Sequence, residues 1–519
     1  MEVPMMSFRR MLCGPALIAG LALVAPSRAV EVNRDGLGQV LILPVWTTTG
    51  GHSTLLNIQS LNLMAAKLRV LGGDGSLLFS GNLYFRQGND SWTAGIGPDP
   101  GGGSLLSSSD TTCLLVSGED GVEALSGPIS LPADHGSIEV IGMGVPAHAD
   151  GVDPNVVFQI ENEFAQSDCD ALAARWNSGN WSESPAQALG SPDPILAATW
   201  SIIQVERGTL YQVPGTALAN YSDQVQHTSP GDALPNLASG HDAGTDEGKT
   251  AGRVCDFLKE CTEDTWATPL DAMAAALTVD SYGGDFIIDP NLGAATDLII
   301  TYPLAPYFAE RDGPDSTLAK AHVRMDTHDR AGNYRAAPSC PSPVPPDTFC
   351  DGTYMRIEQA APVLKITFNP EQDPSEDPDV VSDWTANYIP PATPVEPSGV
   401  LGLPATYRLE WADALQYPDG TVYPIFPLPP LPPVGTFFVA LQYYWNAADL
   451  VGDSGKQYFG APALPVVFQQ YVNGTLPGAD AIPQRANYGM AFRPARRAVY
   501  SLPPGTSPTT RSESHPTVQ

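Results

Sequence analysis

The sequence predicts a mainly β protein: antiparallel β-sandwich-type domains with a few short helices, stapled by disulfides. Three observations predict it. Glycine (49) and proline (51) are abundant while charged residues make up only 16% of the 519-residue chain, which suits many short strands joined by turns better than helix bundles. Several stretches alternate apolar and polar residues with the period of two of a half-buried strand. The seven cysteines leave an even set of six once a leader is removed.

The chain opens on that leader. Arg9 and Arg10 precede an apolar run from Met11 to Ala25, and Ser27-Arg28-Ala29 supplies small residues for cleavage. Residues 1–29 therefore read as a secretory signal peptide, with twin-arginine export as the alternative route. Cys13 lies at the start of the apolar run and leaves with it. No later stretch reaches the roughly 18 consecutive apolar residues of a membrane helix. The expected destination is outside the cytoplasm: periplasm, cell surface or medium. A formal charge of −31 disfavours nucleic acid and anionic membranes as partners.

From residue 30 to 310 the pattern is a β-rich region, with a sub-domain break expected near 165–190. "GQVLILPVW" from Gly38 is a long, nearly uncharged strand that needs either cover from its own fold or a paired partner. In "TLLNIQS", Leu56 and Ile58 point one way and Asn57 and Gln59 the other. "KLRVL" sets Leu68 and Val70 against Lys67 and Arg69, and "GGDGS" then turns the chain into "LLFSGNLYF". These segments predict an antiparallel meander with one wet face. "GSIEVIGMG" and "PNVVFQIENEF" extend the strand pattern to about residue 164. "SDCDALAARWN" reads as a short helix capped by Ser167 or Asp168.

"AATWSIIQVERGTLYQVPGTALANY" returns to strand with a turn at Arg207-Gly208, and residues 222–250 read as polar loop. "TPLDAMAAALTVDSY" is the strongest helix. Thr268 caps it, Pro269 fits its first turn, and Leu270, Met273, Ala274 and Leu277 share a face. "TDLIITYPLAPYF" reads as a buried strand. Residues 311–400 carry proline clusters and the acidic run "EQDPSEDPD", and read as an insertion or linker. A C-terminal β-rich block spans 401–500, including "TFFVALQYYW", and 501–519 read as a disordered tail.

The exported set of cysteines is Cys113, Cys169, Cys255, Cys261, Cys340 and Cys350. An oxidising compartment argues for disulfides, with Cys255–Cys261 and Cys340–Cys350 favoured by short loops and Cys113–Cys169 left by elimination. Metal ligation is the alternative, but no C-x-x-C pair supports it.

The order of segments resembles a family of secreted or surface β-rich proteins of proteobacteria to which no function is assigned. The residues that carry the likeness are "GLGQVLILPVWTTTGGHSTLLNIQSLN", "AAKLRVL", "NDSWTAGI" and "DTTC", then "ILAATWSIIQVERGTLYQVPGTALANY". "DAMAAALTVDSYGGDF", "ATDLIITYPLAPYF", "GAPALPVVFQQYVNG" and "ANYGMAFR" complete it. The likeness spans most of the exported chain and is thinnest over 310–400. It implies an exported, strand-rich protein and brings no catalytic residues.

Motifs that bear chemistry are few. "AGTDEGKT" (Ala243 to Thr250) fits a relaxed phosphate loop, but no apolar strand precedes it and Asp246 and Glu247 face the wrong charge. "GDSG" (Gly452 to Gly455) matches a serine-protease nucleophile segment with Ser454, yet no histidine-bearing segment of that type lies upstream. A polar loop and a turn explain the two. His241-Asp242 and His328 with Asp326 and Asp329 are oxygen-rich, and Asp326 and Asp329 are the candidates for a Ca²⁺ ion. No other cofactor is expected. Trp46, Trp200 and Trp445 fall on strands and suit a core. Trp176 and Trp181, in "ARWNSGNWSES", have polar neighbours and are the candidates for an exposed ligand platform.

The expectation is a non-enzymatic, exported structural or adhesion-type protein whose partners are surface proteins or glycans. A carbohydrate-binding or carbohydrate-acting protein is the alternative.

Overall fold

The computed structural model describes residues 29–148, 152–240, 249–255, 261–288, 293–313, 316, 398–403, 450–477 and 483–497, with the backbone of further strands between 321 and 443 and at 499–500. The leader, the third expected disulfide (Cys340–Cys350), Trp445 and the tail lie outside these residues. The chain is mainly β with antiparallel sheets, as its alternation implies.

Residues 31–219 build a two-layer sandwich. Its strands are β1 (Glu31–Val32), β2 (Val40–Thr47), β3 (Ser53–Ser60), β4 (Met64–Gly72), β5 (Leu77–Phe85), β6 (Asp90–Pro98), β7 (Ser104–Ser107), β8 (Cys113–Gly118), β9 (Gly121–Ala124), β10 (Ile129–Leu131), β11 (His135–Pro146), β12 (Leu189–Gly190), β13 (Leu196–Gln204), β14 (Thr209–Pro214) and β15 (Thr216–Ala219). Sheet 1 runs β1-β15-β2-β11-β4-β5-β8-β9, with β12 on β11; sheet 2 runs β10-β7-β6-β3-β13-β14. Between them lies an apolar core of Leu41, Leu43, Leu56, Leu68, Trp92 and Trp200 with their neighbours. Trp46 and Trp200 are buried there, as strand tryptophans should be.

The strand "GQVLILPVW" is no edge. β2 lies between β15 and β11 and is buried along its whole length. The reading that a partner pairs with it is overturned, because both of its backbone edges are already taken.

Two segments differ from the pattern reading. "PNVVFQIENEF" forms helix α1 (Pro154–Gln166) and not a strand. The Asp153 carboxylate accepts from the Asn155 N–H at 2.9 Å, Pro154 occupies the first turn, and Val157, Ile160 and Phe164 fall on one buried face. The β-branched pair Val156-Val157 imitated a strand, but the cap and the three-and-four spacing prevail. Likewise "TDLIITYPLAPYF" is a strand only over Ala294–Thr301; the rest opens α4 (Ala305–Asp312), with Pro306 in its first turn. Helix α2 (Cys169–Asn177) is capped by Asp168, which accepts from the Ala171 N–H at 3.1 Å. Helix α3 (Pro269–Leu277) is capped by Thr268, but it is buried on every side, not along one stripe. Alanine at four of its nine positions lets neighbours close around it.

Helices α1 and α2 pack on the outer face of sheet 1 around Tyr84, Leu115 and Met143. Cys113–Cys169 joins α2 to β8 with Cα atoms 5.5 Å apart. Cys255–Cys261 closes the hairpin of β16 (Thr250–Cys255) and β17 (Cys261–Trp266).

The second region shares the same body. Its two larger sheets interleave distant segments: Ser281–Ile287 pairs with Val434–Tyr443, which pairs with Ala321–Asp329, while Ala294–Thr301 pairs with Val363–Phe368 and Leu464–Pro477. Pairing thus crosses the boundaries expected at 310 and 400. It also crosses the break expected near 165–190, since β13 pairs with β3. A core of α3, α4, Tyr282, Leu298 and Tyr458 merges with Val40, Ile42 and Leu218 of sheet 1.

Candidate functional site

The two faces that matter belong to the two sheets of the sandwich. On the outer face of sheet 1, the expected wet side is dry. Lys67, Arg69 and Glu139 are at most 4% exposed. Arg69 Nη1 donates to the Glu139 carboxylate and, at 2.6 Å, to the Tyr307 hydroxyl of α4. The Tyr307 hydroxyl in turn donates to Glu139 at 3.1 Å. Burial disfavours the Glu139 charge and raises its pKa against the pull of Arg69. Burial also opposes the Arg69 charge, but Glu139 and Tyr307 more than offset it, so the guanidinium stays ionised.

Residues 221–240, read as loop from 222 onward, run as a strap across this face. Lys67 Nζ donates to the Ser229 carbonyl at 2.6 Å, Asn82 Nδ2 to the Thr228 carbonyl at 2.8 Å, and Gln39 Nε2 to the Ser222 carbonyl at 2.9 Å. Desolvation lowers the Lys67 pKa to about 7, partly countered by Asp232.

The strap also ends the ligand-platform reading of Trp176 and Trp181, which are 8% and 0% exposed. Their rings pack against His227 with centroids 4.8 and 4.6 Å apart, and Trp181 stacks on Tyr84 at 5.9 Å. Trp176 Nε1 donates to the Tyr84 hydroxyl at 2.9 Å. His227 Nδ1 donates to the Pro185 carbonyl at 2.6 Å, leaving Nε2 to accept from Tyr84 at 3.0 Å. Burial lowers the His227 pKa to about 3, so the ring is neutral. The polar neighbours in "ARWNSGNWSES" suggested exposure; the covering groups come from β5 and the strap, far off in sequence.

The remaining sequence candidates resolve as structure. The Ser454 hydroxyl donates to the Asp264 carboxylate, and its N–H donates to the same group at 3.0 Å. Asp264 is a carboxylate held by a turn, not a histidine base, so "GDSG" anchors the β16–β17 hairpin. Gly455 takes a left-handed φ of 80° in that turn. The "AGTDEGKT" segment lies mostly outside the described residues, but Thr250 begins a strand where a phosphate loop needs a helix. Lys249 lies 3.3 Å from Asp453. Asp326 and Asp329, read as an oxygen-rich loop, fall on the strand Ala321–Asp329, opposite Phe438 and Gly435; their side chains lie outside the described residues, as does His241.

Sheet 2 is the opposite case. Its inward positions are buried and its outward positions reach solvent. Along β3, burial alternates strictly, with Leu55 and Gln59 exposed and Leu56 and Ile58 buried. The register aligns Leu55 with Gly95 on one side and Ser201 on the other, and Asn57 with Thr93 and Thr199. Ser201 aligns with Gln212, and Ile203 with Leu210. None of these outward residues carries a charge. A Cβ placed on Gly95 would meet only Leu55, at 3.8 Å, and one on Gly97 only the Ser53 hydroxyl, at 3.7 Å, so the middle of the face is flat and open. At the β14 edge, Gly489 of the strand Pro483–Phe492 packs on Leu210 and Tyr211, and Tyr488 (58%) and Met490 (47%) are exposed beside it.

The face was missed because no motif marks it. Its signal was present: the polar members of "TLLNIQS", "SWTAGIG" and "LAATWSIIQ" are all serine, threonine, asparagine or glutamine. Comparison with protein-family models, curated proteins and solved structures finds no match to this chain.

Proposed function

We propose that this is an exported, non-enzymatic structural or adhesion-type protein that acts through its surface. The observation that carries the reading is the outer face of sheet 2. Its outward strand residues are uncharged in a chain of net charge −31, with the Asp110 carboxylate beside Thr93, and it is held by a sandwich whose other layer is covered on both sides. Two cystines support export, since such bonds persist in oxidising compartments. The leader-like N-terminus and the resemblance to secreted surface proteins agree. Side chains that would suggest catalysis have structural partners: Ser454 anchors a hairpin and His227 is sealed under a strap.

Protease shaving of intact cells, with cross-linking and identification of joined molecules, tests the reading. Digestion from outside and cross-links to surface molecules are expected. A chain found in the cytoplasm with free thiols overturns it, and so does labelling of Ser454 by a serine-reactive phosphonate.

A further inference from the structure

We propose that the outer face of sheet 2 binds a neutral hexose polysaccharide; the inference rests on the adhesion reading above and names its partner. The argument starts from charge. An acidic chain places Asp or Glu on most of its surfaces, and here the outward positions of β3, β6, β13 and β14 carry none. An anionic polymer gains nothing from such a face in a protein of this net charge, and a cationic one finds only the Asp110 carboxylate, which already accepts from the Thr93 N–H and hydroxyl. A neutral, hydroxyl-rich ligand loses nothing on either count.

The side chains suit that ligand. Gln59 and Gln212 present carboxamides, and Thr199 and Ser201 present hydroxyls, each able to donate and accept. Sugar hydroxyls need this dual capacity. The Asn57 amide oxygen is buried, and the Thr93 hydroxyl already donates to the Asp110 carboxylate at 2.8 Å. Leu55 and Leu210, 45% and 48% exposed, offer aliphatic contact for the C–H face of a ring. Gly95 and Gly97 keep the centre free of protruding side chains. The strands lie about 4.8 Å apart and repeat side chains every ~6.8 Å along each strand. Polar groups therefore recur at roughly the scale of one sugar ring. The display is also rigid, because each strand of the face is anchored by a dry inner row that includes Trp92, Trp200 and Tyr211, all at most 1% exposed. Rigidity lowers the entropic cost of holding a long polymer.

The test uses the purified exported chain and four insoluble probes: cellulose, chitin, starch granules and mannan. Co-sedimentation with at least one is expected, with little change between low and high salt because no ion pairs form. Thr199→Glu and Gln212→Glu each place a charge on the face at exposed positions, where folding tolerates it. Each should weaken binding roughly tenfold or more, since a carboxylate must then be desolvated. Gln159→Glu, on the exposed side of α1, should leave binding unchanged.

Failure of the wild-type chain to sediment with all four overturns the inference. So does binding that the two face variants retain at full strength, or a self-association that those variants abolish, which assigns the face to a second copy of this chain. Circular dichroism and melting of each variant separate misfolding from lost contact. Surface shaving is scored in parallel: a shaved chain that binds none of the probes overturns this inference alone, whereas a chain found in the cytoplasm with free thiols overturns the export reading as well.

Discussion

Sheet 1 and sheet 2 share one core yet treat water in opposite ways. Sheet 1 carries three charged residues at its centre, Lys67, Arg69 and Glu139, and seals them beneath helices, strap and second region. Sheet 2 carries no charge on its outward strand positions and leaves that side open. The usual arrangement, charge outside and neutral polar groups within, is reversed. Charge under cover behaves as an internal fastener that joins the sandwich to α4. Neutral polarity in the open leaves Gln59, Thr199 and Gln212 exposed to a ligand, while Thr93 is already bonded to Asp110.

The sharpest way to break this contrast is to unpair the fastener. Glu139→Leu leaves the Arg69 guanidinium buried beside Tyr307 with no counter-charge. A loss of about 3–5 kcal/mol is expected in denaturant unfolding. The double variant Arg69→Met/Glu139→Leu should recover most of it, because two apolar groups of similar volume need no compensation.

A second prediction concerns acid. His227 is held neutral when folded, with a pKa of about 3, and titrates near 6.5 when unfolded. Below pH 6.5 the unfolded chain binds the extra proton. Stability should therefore fall toward pH 3 by up to roughly 1.4 kcal/mol per pH unit, being complete only above 6.5. His227→Gln should flatten that limb in urea titrations at stepped pH, whatever its effect at neutral pH.

Lys67 gives the alkaline counterpart. Its folded pKa of about 7 lies below the ordinary value of 10.5, so its burial is least costly above 10.5 and most costly below 7. Stability should rise between those limits, and Lys67→Met should remove the rise. The smallest effect belongs to sheet 2. Gln59→Ser or Thr93→Ser should move the melting midpoint by no more than ~0.5 kcal/mol equivalent. A large loss at these positions would mean that the open face is part of the scaffold after all.

The two sheets also differ in how well they are written into local sequence. Sheet 2 is legible: the alternation of Leu56 and Ile58 with Asn57 and Gln59 states both its strand character and its wet side. The caps of α2 and α3, at Asp168 and Thr268, are legible for the same reason, since their partners lie within a few residues. Sheet 1 is not. Lys67 and Arg69 look solvated because nothing near them in the chain predicts that Ser229 and Tyr307 will arrive to cover them. Trp176 and Trp181 were misread for the same cause, their cover being Tyr84 and His227. Helix α1 was obscured by its valines until the Asp153 cap is weighed. Pattern reports what a residue meets nearby, and misses what closes over it from a distance.

The strap has one more consequence. Every strand of sheets 1 and 2 lies between residues 31 and 219, whereas the strap is drawn from 221–240 and α4 from 305–312. A ribosome delivers the amino end first. The barrier against water over Lys67, Arg69 and Glu139 is therefore synthesised only after the layer it shields, and those ionic groups stay hydrated through the early life of the nascent chain.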